Sequence, residues 1–312
     1  MLEIAVQMDP LERINFAGDS TFALMLEAKR RGARLWFYTP DHLSLEGGRL
    51  FARAHHIDVF DDPDRYYTLG EARELDLSTM DVVLLRQDPP FDLAYITSTH
   101  FLERIQSRVL VVNDPGHVRN APEKVFVMDF ADLMPPTLLT RDRAAIERFR
   151  ARYGDIVMKP LYGHGGAAVF KIGTRDPNFG SLFDMFSASF REPWVVQQFL
   201  PEVADGDKRI ILIDGVAMGA INRVPAQDDI RSNMVRGGAA AATELDAREQ
   251  EICARLGPEL RKRGLLLVGI DVIDGNLTEI NVTSPTGIRA IANLGGPDIA
   301  AMIWDKIEAR RG

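Results

Sequence analysis

Apolar and polar positions alternate along the first 120 residues in the manner of a sheet covered by helices. Four short β-prone runs occupy residues 2–8, 34–38, 81–86 and 108–113. Between them, one helical pattern begins after Asp19 and ends at Gly32, and a second one spans residues 93–105. Strands that alternate with helices predict an open, largely parallel α/β sheet, in which ligands bind beyond the carboxyl ends of the strands.

Polar residues with possible ligand-binding roles lie at the ends of two of these predicted strands. The first strand ends in Met8 and Asp9, and the third ends in Arg86 before the stiff pair Pro89 and Pro90. A surface ion pair is the plain alternative for Arg86. Because Arg86 ends an apolar strand, we expect it to bind a ligand instead.

The pattern changes after Asn113, where a polar segment reaching Pro122 predicts a linker between domains. Beyond it, β-prone runs follow one another through turns, which predicts an α+β second half with antiparallel strands. The predicted helices cover residues 142–153, 179–190, 243–263 and 297–310, with a shorter one opening near Pro122. The predicted strands cover residues 156–159, 169–172, 194–200, 210–213, 216–224, 265–273 and 277–281.

Composition narrows the class of protein. The chain has 312 residues, of which 46% are hydrophobic and 26% charged, as in ordinary soluble globular proteins. A net charge of −8 argues against a nucleic-acid partner. Cys253 is the single cysteine, which excludes an internal disulfide and indicates a reducing cytoplasm. The chain shows neither a signal-peptide pattern nor an apolar run long enough for a membrane span, so we expect no membrane partner.

The segment from residue 264 to 287 holds the densest cluster of polar chemistry. Two β-prone runs flank residues 274–276, which predicts a hairpin. With a three-residue loop, Asp271 lies opposite Glu279, and Asn281 points to the same side as Glu279. Two carboxylates and an amide oxygen, without histidine or cysteine, suit Mg²⁺ better than Zn²⁺. The alternative is a hairpin with a solvated polar face.

A glycine-rich turn at residues 161–168 connects two predicted strands. It contains Gly163, Gly165 and Gly166, and it follows a strand that ends in Lys159. Glycines let backbone N–H groups approach phosphate oxygens, and the lysine adds a point charge. No helix is predicted directly after the turn, which excludes a Walker A loop and a Rossmann fingerprint. A flexible hairpin tip is the alternative, and the turn alone favours it slightly.

Residues 225–242 form a long polar and then Gly/Ala-rich segment without predicted structure. It contains Arg231 and Arg236. Such a segment inside a compact domain is usually either functional or disordered. We expect it to act as a lid over a ligand.

Seven motifs, taken in order, carry a family resemblance. They are Met8-Asp-Pro10, Arg86-Gln-Asp-Pro-Pro90, Asn120-Ala-Pro-Glu-Lys124, Lys159-Pro-Leu-Tyr-Gly-His-Gly-Gly166, Leu200-Pro201, Asp205-Gly-Asp-Lys-Arg209 and Leu277-Thr-Glu-Ile-Asn-Val-Thr-Ser-Pro-Thr286. Together they resemble bacterial glutathione synthetase, a family of the ATP-grasp superfamily, almost from end to end. The Asp-Pro-Pro loop and the run Glu279-Ile-Asn-Val-Thr-Ser-Pro-Thr286 are specific to the family, whereas the glycine loop and the Asp/Glu/Asn set occur in ATP-grasp enzymes generally.

The resemblance implies a domain organisation and a set of ligands. It implies an N-terminal substrate domain at residues 1–121, a central ATP-grasp subdomain at 122–200 and a C-terminal ATP-grasp subdomain at 201–312. ATP, γ-glutamylcysteine and glycine are the implied small-molecule partners, and Mg²⁺ is the implied metal, with Mn²⁺ as an alternative. The resemblance further implies a homo-oligomer, a tetramer.

The resemblance also implies roles for individual residues. The implied ATP-binding residues are Lys124, Lys159, Gly163, Gly165, Gly166, Gln197, Gln198, Phe199, Leu200 and Asp207. The implied metal ligands are Asp271, Glu279 and Asn281. The implied peptide-binding residues are Arg86, Arg209, Arg223, Asn281, Ser284, Pro285 and Thr286, and the implied catalytic cations are Arg209, Arg223, Arg231 and Arg236.

Two positions depart from the family pattern. Tyr162 stands in the glycine loop where that pattern has an acidic residue, which leaves open how the loop holds phosphates. Arg236 precedes the pair Gly237 and Gly238, where the pattern places an arginine after the glycines. The second departure leaves open which lid arginine reaches the reaction centre.

The implied reaction joins γ-glutamylcysteine to glycine with ATP through an acyl phosphate, giving glutathione, ADP and phosphate. It needs no protein nucleophile, in agreement with the lack of a Ser/His or Cys/His pair in the sequence pattern. Three alternatives stay open: another ATP-grasp carboxylate–amine ligase, a non-catalytic ATP-binding regulator and an oxidoreductase. The last is disfavoured because no dinucleotide fingerprint follows the first strand.

Overall fold

The computed structural model describes residues 1–226 and 238–311. Its N-terminal part is a seven-stranded sheet packed with helices. The strands are β1 (Glu3–Gln7), β2 (Arg34–Tyr38), β3 (Leu43–Glu46), β4 (Arg49–Val59), β5 (Tyr67–Asp76), β6 (Val82–Leu85) and β7 (Leu110–Val112). The helices are α1 (Ser20–Arg30), α2 (Leu93–Glu103) and α3 (Pro115–Arg119).

The four predicted strands form the parallel part of this sheet, in the order β2, β1, β6 and β7. Helix α1 begins as its sequence indicates, since the Asp19 side chain accepts a hydrogen bond of 2.6 Å from the backbone N–H of Phe22. Parallel strands buried by helices on their faces read as continuous apolar runs, which is why these four were predicted correctly.

The sequence pattern missed the other three strands. Strands β3, β4 and β5 pair antiparallel with one another and add to the β2 edge. Part of the buried face of β4 is formed by Ala52 and Ala54, small side chains that give only a weak strand signal. Strand β5 is exposed over most of its length, so it carries no apolar pattern at all.

The remaining chain builds two antiparallel sheets. The first has the order β10-β9-β11-β8. Its strands are β8 (Thr137–Thr140), β9 (Ile156–Pro160), β10 (Phe170–Ile172) and β11 (Trp194–Gln198), and the helices of this region are α4 (Glu123–Phe126), α5 (Arg143–Tyr153) and α6 (Phe179–Ser189). Trp194 and Phe186 lie in its apolar core. This unit confirms the α+β prediction for the second half.

The second antiparallel sheet has the order β14-β13-β12-β15-β16. Its strands are β12 (Asp207–Ile213), β13 (Val216–Val224), β14 (Ala239–Ala242), β15 (Leu267–Ile273) and β16 (Asn276–Asn281). Its helices are α7 (Ala247–Lys262), α8 (Ile288–Asn293) and α9 (Ile299–Arg311). Among all described helices, none has the length and apolarity to cross a bilayer.

The hairpin between β15 and β16 is tighter than predicted. Its loop is only Asp274 and Gly275, with φ of 47° and 66°, while Asn276 already belongs to β16. Positive φ at both positions is typical of a two-residue hairpin turn. An extra residue on β16, Thr278, forms a bulge, so Asp271 still pairs with Glu279 as predicted.

Two other local predictions need correction. The predicted lid extends too far, because residues 239–242 form β14 and pair with β13. Residues 227–237, with the predicted lid residues Arg231 and Arg236, lie outside the described part of the chain. The predicted linker after Asn113 contains helix α3.

Asn113 connects the N-terminal sheet to the last sheet. Its buried side chain donates hydrogen bonds to the carbonyls of Leu267 (2.7 Å) and Val282 (2.8 Å). It also accepts one from the backbone N–H of Leu267, at 2.8 Å. These bonds fix the β15–β16 hairpin against the end of β7.

Candidate active site

A cavity of about 1030 Å³ opens where the three sheets meet. Every predicted site residue within the described part of the chain lines it. They are Arg86, Lys124, Lys159, Gly163, Gly165, Gly166, Gln197, Gln198, Phe199, Leu200, Asp207, Arg209, Arg223, Asp271, Glu279, Asn281, Ser284, Pro285 and Thr286. Residues scattered over two hundred positions thus share one concave surface, which is the usual form of a small-molecule site.

Asp271 is held by two arginines. The register of β12 and β15 sets Arg209 beside Asp271, and the Arg209 Nη2 to Asp271 Oδ2 distance is 2.9 Å. Arg223 Nη2 lies 2.9 Å from Asp271 Oδ1 and 2.6 Å from Asp207 Oδ2. Burial alone would raise the pKa of Asp271, but the two guanidinium groups hold it well below its ordinary value. Asp271 is therefore a carboxylate at neutral pH.

Glu279, the cross-strand neighbour of Asp271, is held by two lysines instead. Its Oε1 lies 2.9 Å from Lys159 Nζ and 3.6 Å from Lys124 Nζ. Burial works against the charge of Glu279, yet Lys124 and Lys159 lower its pKa below the ordinary value. Lys124 also donates to the Gly163 carbonyl at 2.7 Å and contacts the Glu123 carboxylate. One glutamate thus ties both lysines and the glycine loop together.

The donor chemistry of the β15–β16 hairpin fits a hard divalent cation. Asp271, Glu279 and Asn281 offer carboxylate and amide oxygens, and Asn281 Nδ2 lies 3.4 Å from Asp271 Oδ2. Only two of these three side chains are carboxylates. Within residues 1–226 and 238–311, no group of three or more histidine, cysteine, aspartate or glutamate side chains is placed to hold a metal ion. Such a sparse oxygen set leaves coordination positions for water and phosphate, as Mg²⁺ usually requires.

Arg86 lies buried between the N-terminal sheet and the loop after β16. Its Nε donates to Thr21 Oγ1 at 3.0 Å, and its Nη2 donates to the Pro285 carbonyl at 3.1 Å. Burial lowers the pKa of Arg86. With 3% of its surface exposed, Arg86 is not the surface ion pair that was the alternative.

The glycine loop and the end of β11 form another part of the cavity wall. Gly165 and Gly166 have φ of 62° and 70°, values that glycine adopts without strain. Gln197 donates from Nε2 to Thr137 Oγ1 at 2.9 Å, which orients the end of β11. Beside it, Lys171 Nζ lies 4.0 Å from the ring centre of Phe199.

Sequence reasoning did not assign one wall of the cavity, the segment between β1 and α1. It contributes Asp9, Arg13, Asn15, Asp19 and Thr21. Burial raises the pKa of both Asp9 and Asp19 above their ordinary values. The sequence gives a partial signal, since Asp9 follows the first strand, but Asp19 marks only the beginning of a helical pattern.

Asp88 was also missed, although its loop was singled out. Its backbone N–H donates to Asp9 Oδ2 at 2.7 Å. Burial raises the pKa of Asp88, while a hydrogen bond with the Ser284 side chain works in the opposite direction. Asp88 therefore connects the wall formed by the N-terminal sheet with the loop after β16.

Family comparisons match this architecture in two consecutive blocks. The model of the prokaryotic glutathione synthetase N-terminal domain matches residues 2–119. The model of the prokaryotic glutathione synthetase ATP-grasp domain matches residues 123–296. The chain belongs to the prokaryotic glutathione synthetase family. The match confirms the resemblance drawn from the seven motifs.

Curated glutathione synthetases are similar along the whole chain. The protein from Rhodopseudomonas palustris is 68% identical over 310 residues, which is 99% of each chain. The protein from Agrobacterium fabrum is 58% identical over 308 residues, 99% of this chain and 97% of its own. The one from Salmonella typhimurium is 39% identical over 312 residues, 99% of each. The similarity therefore extends over all three sheets of this glutathione synthetase family member.

Solved structures support the ATP-grasp fold. D-cycloserine synthetase DcsG aligns with a TM-score of 0.68 at 16% identity, covering 99% of this chain and 100% of that one. The ATP-grasp ligase PsnB complexed with minimal precursor aligns with a TM-score of 0.67 at 19% identity, covering 100% of both. At such low identity the likeness concerns the fold alone, and it confirms the predicted fold class. The glutathione synthetase family implies an ATP substrate and a divalent metal.

Proposed function

We propose that the chain makes glutathione from γ-glutamylcysteine, glycine and ATP through an acyl-phosphate intermediate. Its family membership makes it an ATP-dependent ligase of glutathione biosynthesis. The observation that carries the assignment of this cavity is that Arg86 of the N-terminal sheet and the Glu279–lysine cluster line the same space. A ligase that joins a peptide to an amine with ATP needs all three substrates in such a shared space.

The nucleotide belongs at the end of the cavity formed by the glycine loop and β11. In this proposal Lys124, Lys159 and the N–H groups of residues 163–166 bind phosphate oxygens, residues 197–200 bind the adenine, and Asp207 binds the ribose. The lysines already lie at one point, since both contact Glu279. Phosphate oxygens would bind the ammonium groups of these two lysines, because a buried positive charge is unfavourable without an anionic partner.

The metal belongs at Asp271, Glu279 and Asn281, and Mg²⁺ suits these oxygen donors better than a softer ion. When bound there, it would neutralise negative charge on the transferring phosphoryl group. Glu279 is shared between the lysines and this metal position. The two carboxylates thus hold cations at the place where phosphate charge must be stabilised.

The peptide belongs in the part of the cavity that is lined by Arg86, Arg209, Arg223 and residues 284–286. γ-Glutamylcysteine carries two carboxylates, of which one reacts and one is only held. In this proposal Arg86 holds the non-reacting carboxylate, because it follows a strand of the N-terminal sheet, whereas Lys124 and Lys159 belong to the following unit. Arg209 and Arg223 adjoin Asp271 and would stabilise charge on the reacting carboxyl.

The chemistry follows from the poor reactivity of a carboxylate. Transfer of the γ-phosphoryl group from ATP to the cysteinyl carboxylate forms the acyl phosphate and releases ADP. The amine of glycine then attacks the acyl carbon, phosphate leaves with the bonding electrons, and the nitrogen loses a proton. No protein nucleophile takes part, so this chain's residues position the reactants and exclude water from the acyl phosphate.

Phosphate release measured against pairs of acceptors tests the assignment. With γ-glutamylcysteine and glycine together, we expect phosphate and glutathione in equal amounts, and with either one alone almost none. Turnover with a different acid and amine pair, but not with this one, would move the chain to another ATP-grasp ligase. Comparing Mg²⁺ with Mn²⁺ in the same assay tests the choice of metal.

Two further properties complete the proposal. We propose a cytoplasmic location, because a lone thiol such as Cys253 suits a reducing compartment. We also propose a homo-oligomer, a tetramer as in the family resemblance. Light scattering of the purified chain tests the second property directly.

A further inference from the structure

Tyr162 of the glycine loop stacks on Phe91 of the N-terminal domain. The ring centres are 5.9 Å apart and the ring planes differ by 28°, so the rings lie nearly parallel. Phe91 is backed by Tyr95 of helix α2, at 5.1 Å between ring centres. Tyr95 is fully buried, whereas 38% of Tyr162 is exposed. The start of the glycine loop is therefore packed on the segment that precedes helix α2 in the N-terminal domain.

The stack joins two segments with different tasks. Tyr162 lies between Lys159 and Gly163, whose carbonyl accepts a hydrogen bond from Lys124. Phe91 closes the segment that begins with Arg86. Movement of the glycine loop away from the phosphates would therefore break a contact with the segment proposed to hold the peptide.

Tyr162 departs from the family pattern stated above. The family pattern leads us to expect an acidic side chain in the glycine loop, and such a side chain has no aromatic face to stack on Phe91. The same small cleft is lined by apolar residues, Pro89, Pro122 and Val282 among them, and by the polar residues Glu123, His164 and Thr283. A tyrosine there gains contact area, and it avoids a second carboxylate near Glu123.

We propose that Tyr162 is a positioning residue that holds the glycine loop closed against Phe91 and so couples ATP binding to peptide binding. The proposal rests on the function proposed for the cavity. Tyr162 touches no reacting atom, and it acts through the loop between Lys159 and Gly166. Closure of this loop keeps water from the acyl phosphate, so loss of the stack should also increase wasted ATP hydrolysis.

A double-mutant cycle between Phe91→Ala and Tyr162→Ala measures the coupling. Aromatic pairs of this kind correspond to about 2- to 12-fold in an equilibrium or rate. We expect each single variant to lower kcat/KM by about that factor for ATP and for the peptide, and to release more phosphate than glutathione. The double variant should be no worse than the more affected single variant.

Two further variants separate positioning from general damage. Tyr162→Phe retains the ring and should restore wild-type values. Tyr153→Ala breaks a comparable pair with Phe149, at 4.6 Å within helix α5, and should leave the kinetics unchanged. Equal losses in Tyr153→Ala and Tyr162→Ala, or strictly multiplicative losses in the cycle, would overturn the proposal.

Chymotrypsin provides a measurement that does not need activity. In ligand-free protein, Phe91→Ala should speed cleavage after Tyr162 several-fold compared with the wild type, and Phe149→Ala should not. An unchanged cleavage rate in Phe91→Ala would overturn the stack even if the enzyme is active. A wild type that makes no glutathione would instead overturn the proposed function and leave the cleavage result to decide on the stack.

Discussion

Asp271 and Glu279 face each other across β15 and β16, yet each carboxylate contacts its own pair of cations. Asp271 contacts Arg209 and Arg223, while Glu279 contacts Lys124 and Lys159. Removing one partner of a buried ion pair leaves the other charge in a poorly solvated place, which is more costly than never having buried the pair. The two carboxylates therefore organise the cavity before any ligand binds.

Glu279→Gln should remove most ATP-dependent activity. The glutamine keeps the shape of the side chain but loses the charge that holds the two lysines and the proposed metal. We expect kcat/KM for ATP to fall on the order of 100-fold or more. Stability should fall by roughly 1–3 kcal/mol, because the lysines lose their partner.

Phosphate release and urea denaturation measure the two effects of Glu279→Gln. Glu192→Gln is a suitable control, since Glu192 is exposed and lies outside the residues that line the cavity. Wild-type turnover of Glu279→Gln at limiting Mg²⁺ would show that Glu279 neither binds the metal nor orders the lysines.

Asn113→Ala should destabilise the junction between the N-terminal sheet and the last sheet. Three hydrogen bonds to Leu267 and Val282 are lost, and the backbone groups they satisfied are buried. We expect a loss of about 2–4 kcal/mol in the free energy of unfolding. Urea denaturation followed by circular dichroism measures it, with Asn178→Ala, at an exposed position, as the control. Equal midpoints for the two variants would contradict the proposed role of Asn113.

The sequence predicted those strands that are recognisable from the apolar pattern of their own residues. The middle of strand β1, Ile4 to Val6, is apolar and buried, so the strand is visible in the sequence without its partner. Strand β5 has no such signal, because it is formed by pairing with β4 while its side chains face solvent. Its place in the sheet depends on the neighbouring strand, which local patterning does not describe.

The candidate site was likewise predicted only in part: its residues were identified from the sequence, but most of their contacts were not. The motifs identified residues such as Asp271 and Glu279, and alternation along the strands correctly predicted that they face each other. The pairing of each carboxylate with its cations was not predictable, because it depends on the bulge at Thr278 and on the packing of three sheets. The stack of Tyr162 on Phe91 likewise joins two loops whose mutual position only the folded chain defines.

Asp19→Asn should stabilise the protein at neutral pH. Burial raises the folded-state pKa of Asp19 above its ordinary value of 3.8, with Asp9 adding to the rise and Arg86 opposing it. The folded state therefore binds this proton more tightly than the unfolded chain does, so the group's contribution to stability grows as pH falls through the folded pKa and is complete below about 3.8. Asparagine removes the penalty of the buried charge at pH 7 and still accepts the Phe22 N–H.

Thermal unfolding of Asp19→Asn and the wild type between pH 4 and pH 8 tests this sign. The difference in Tm should be largest at neutral pH and shrink as the pH falls toward 4. Asp92→Asn is the matched control, because Asp92 caps helix α2 in the same way, accepting from the Tyr95 N–H at 2.9 Å, but lies exposed. A variant less stable than wild type at every pH would show that Asp19 is needed as a charge.

Arg86→Ala should impair use of the peptide and leave ATP binding nearly intact. Arg86 is buried, contacts Thr21 and Pro285, and follows a strand of the N-terminal sheet. The lysines proposed to bind phosphate, Lys124 and Lys159, belong to the following unit. Losing a charge-assisted contact costs about 2–3 kcal/mol, which corresponds to roughly 30- to 150-fold in kcat/KM for γ-glutamylcysteine.

Three measurements separate this role of Arg86 from a structural one. Kinetics with each substrate varied in turn should place the loss on γ-glutamylcysteine, and binding of a non-hydrolysable ATP analogue without peptide should change less than about 3-fold. Arg86→Lys keeps the charge but not the forked geometry, so it should recover only part of the loss. A defect confined to ATP, or no defect with the peptide, would leave Arg86 as a link between Thr21 and Pro285, which stabilises the two walls of the cavity without binding substrate.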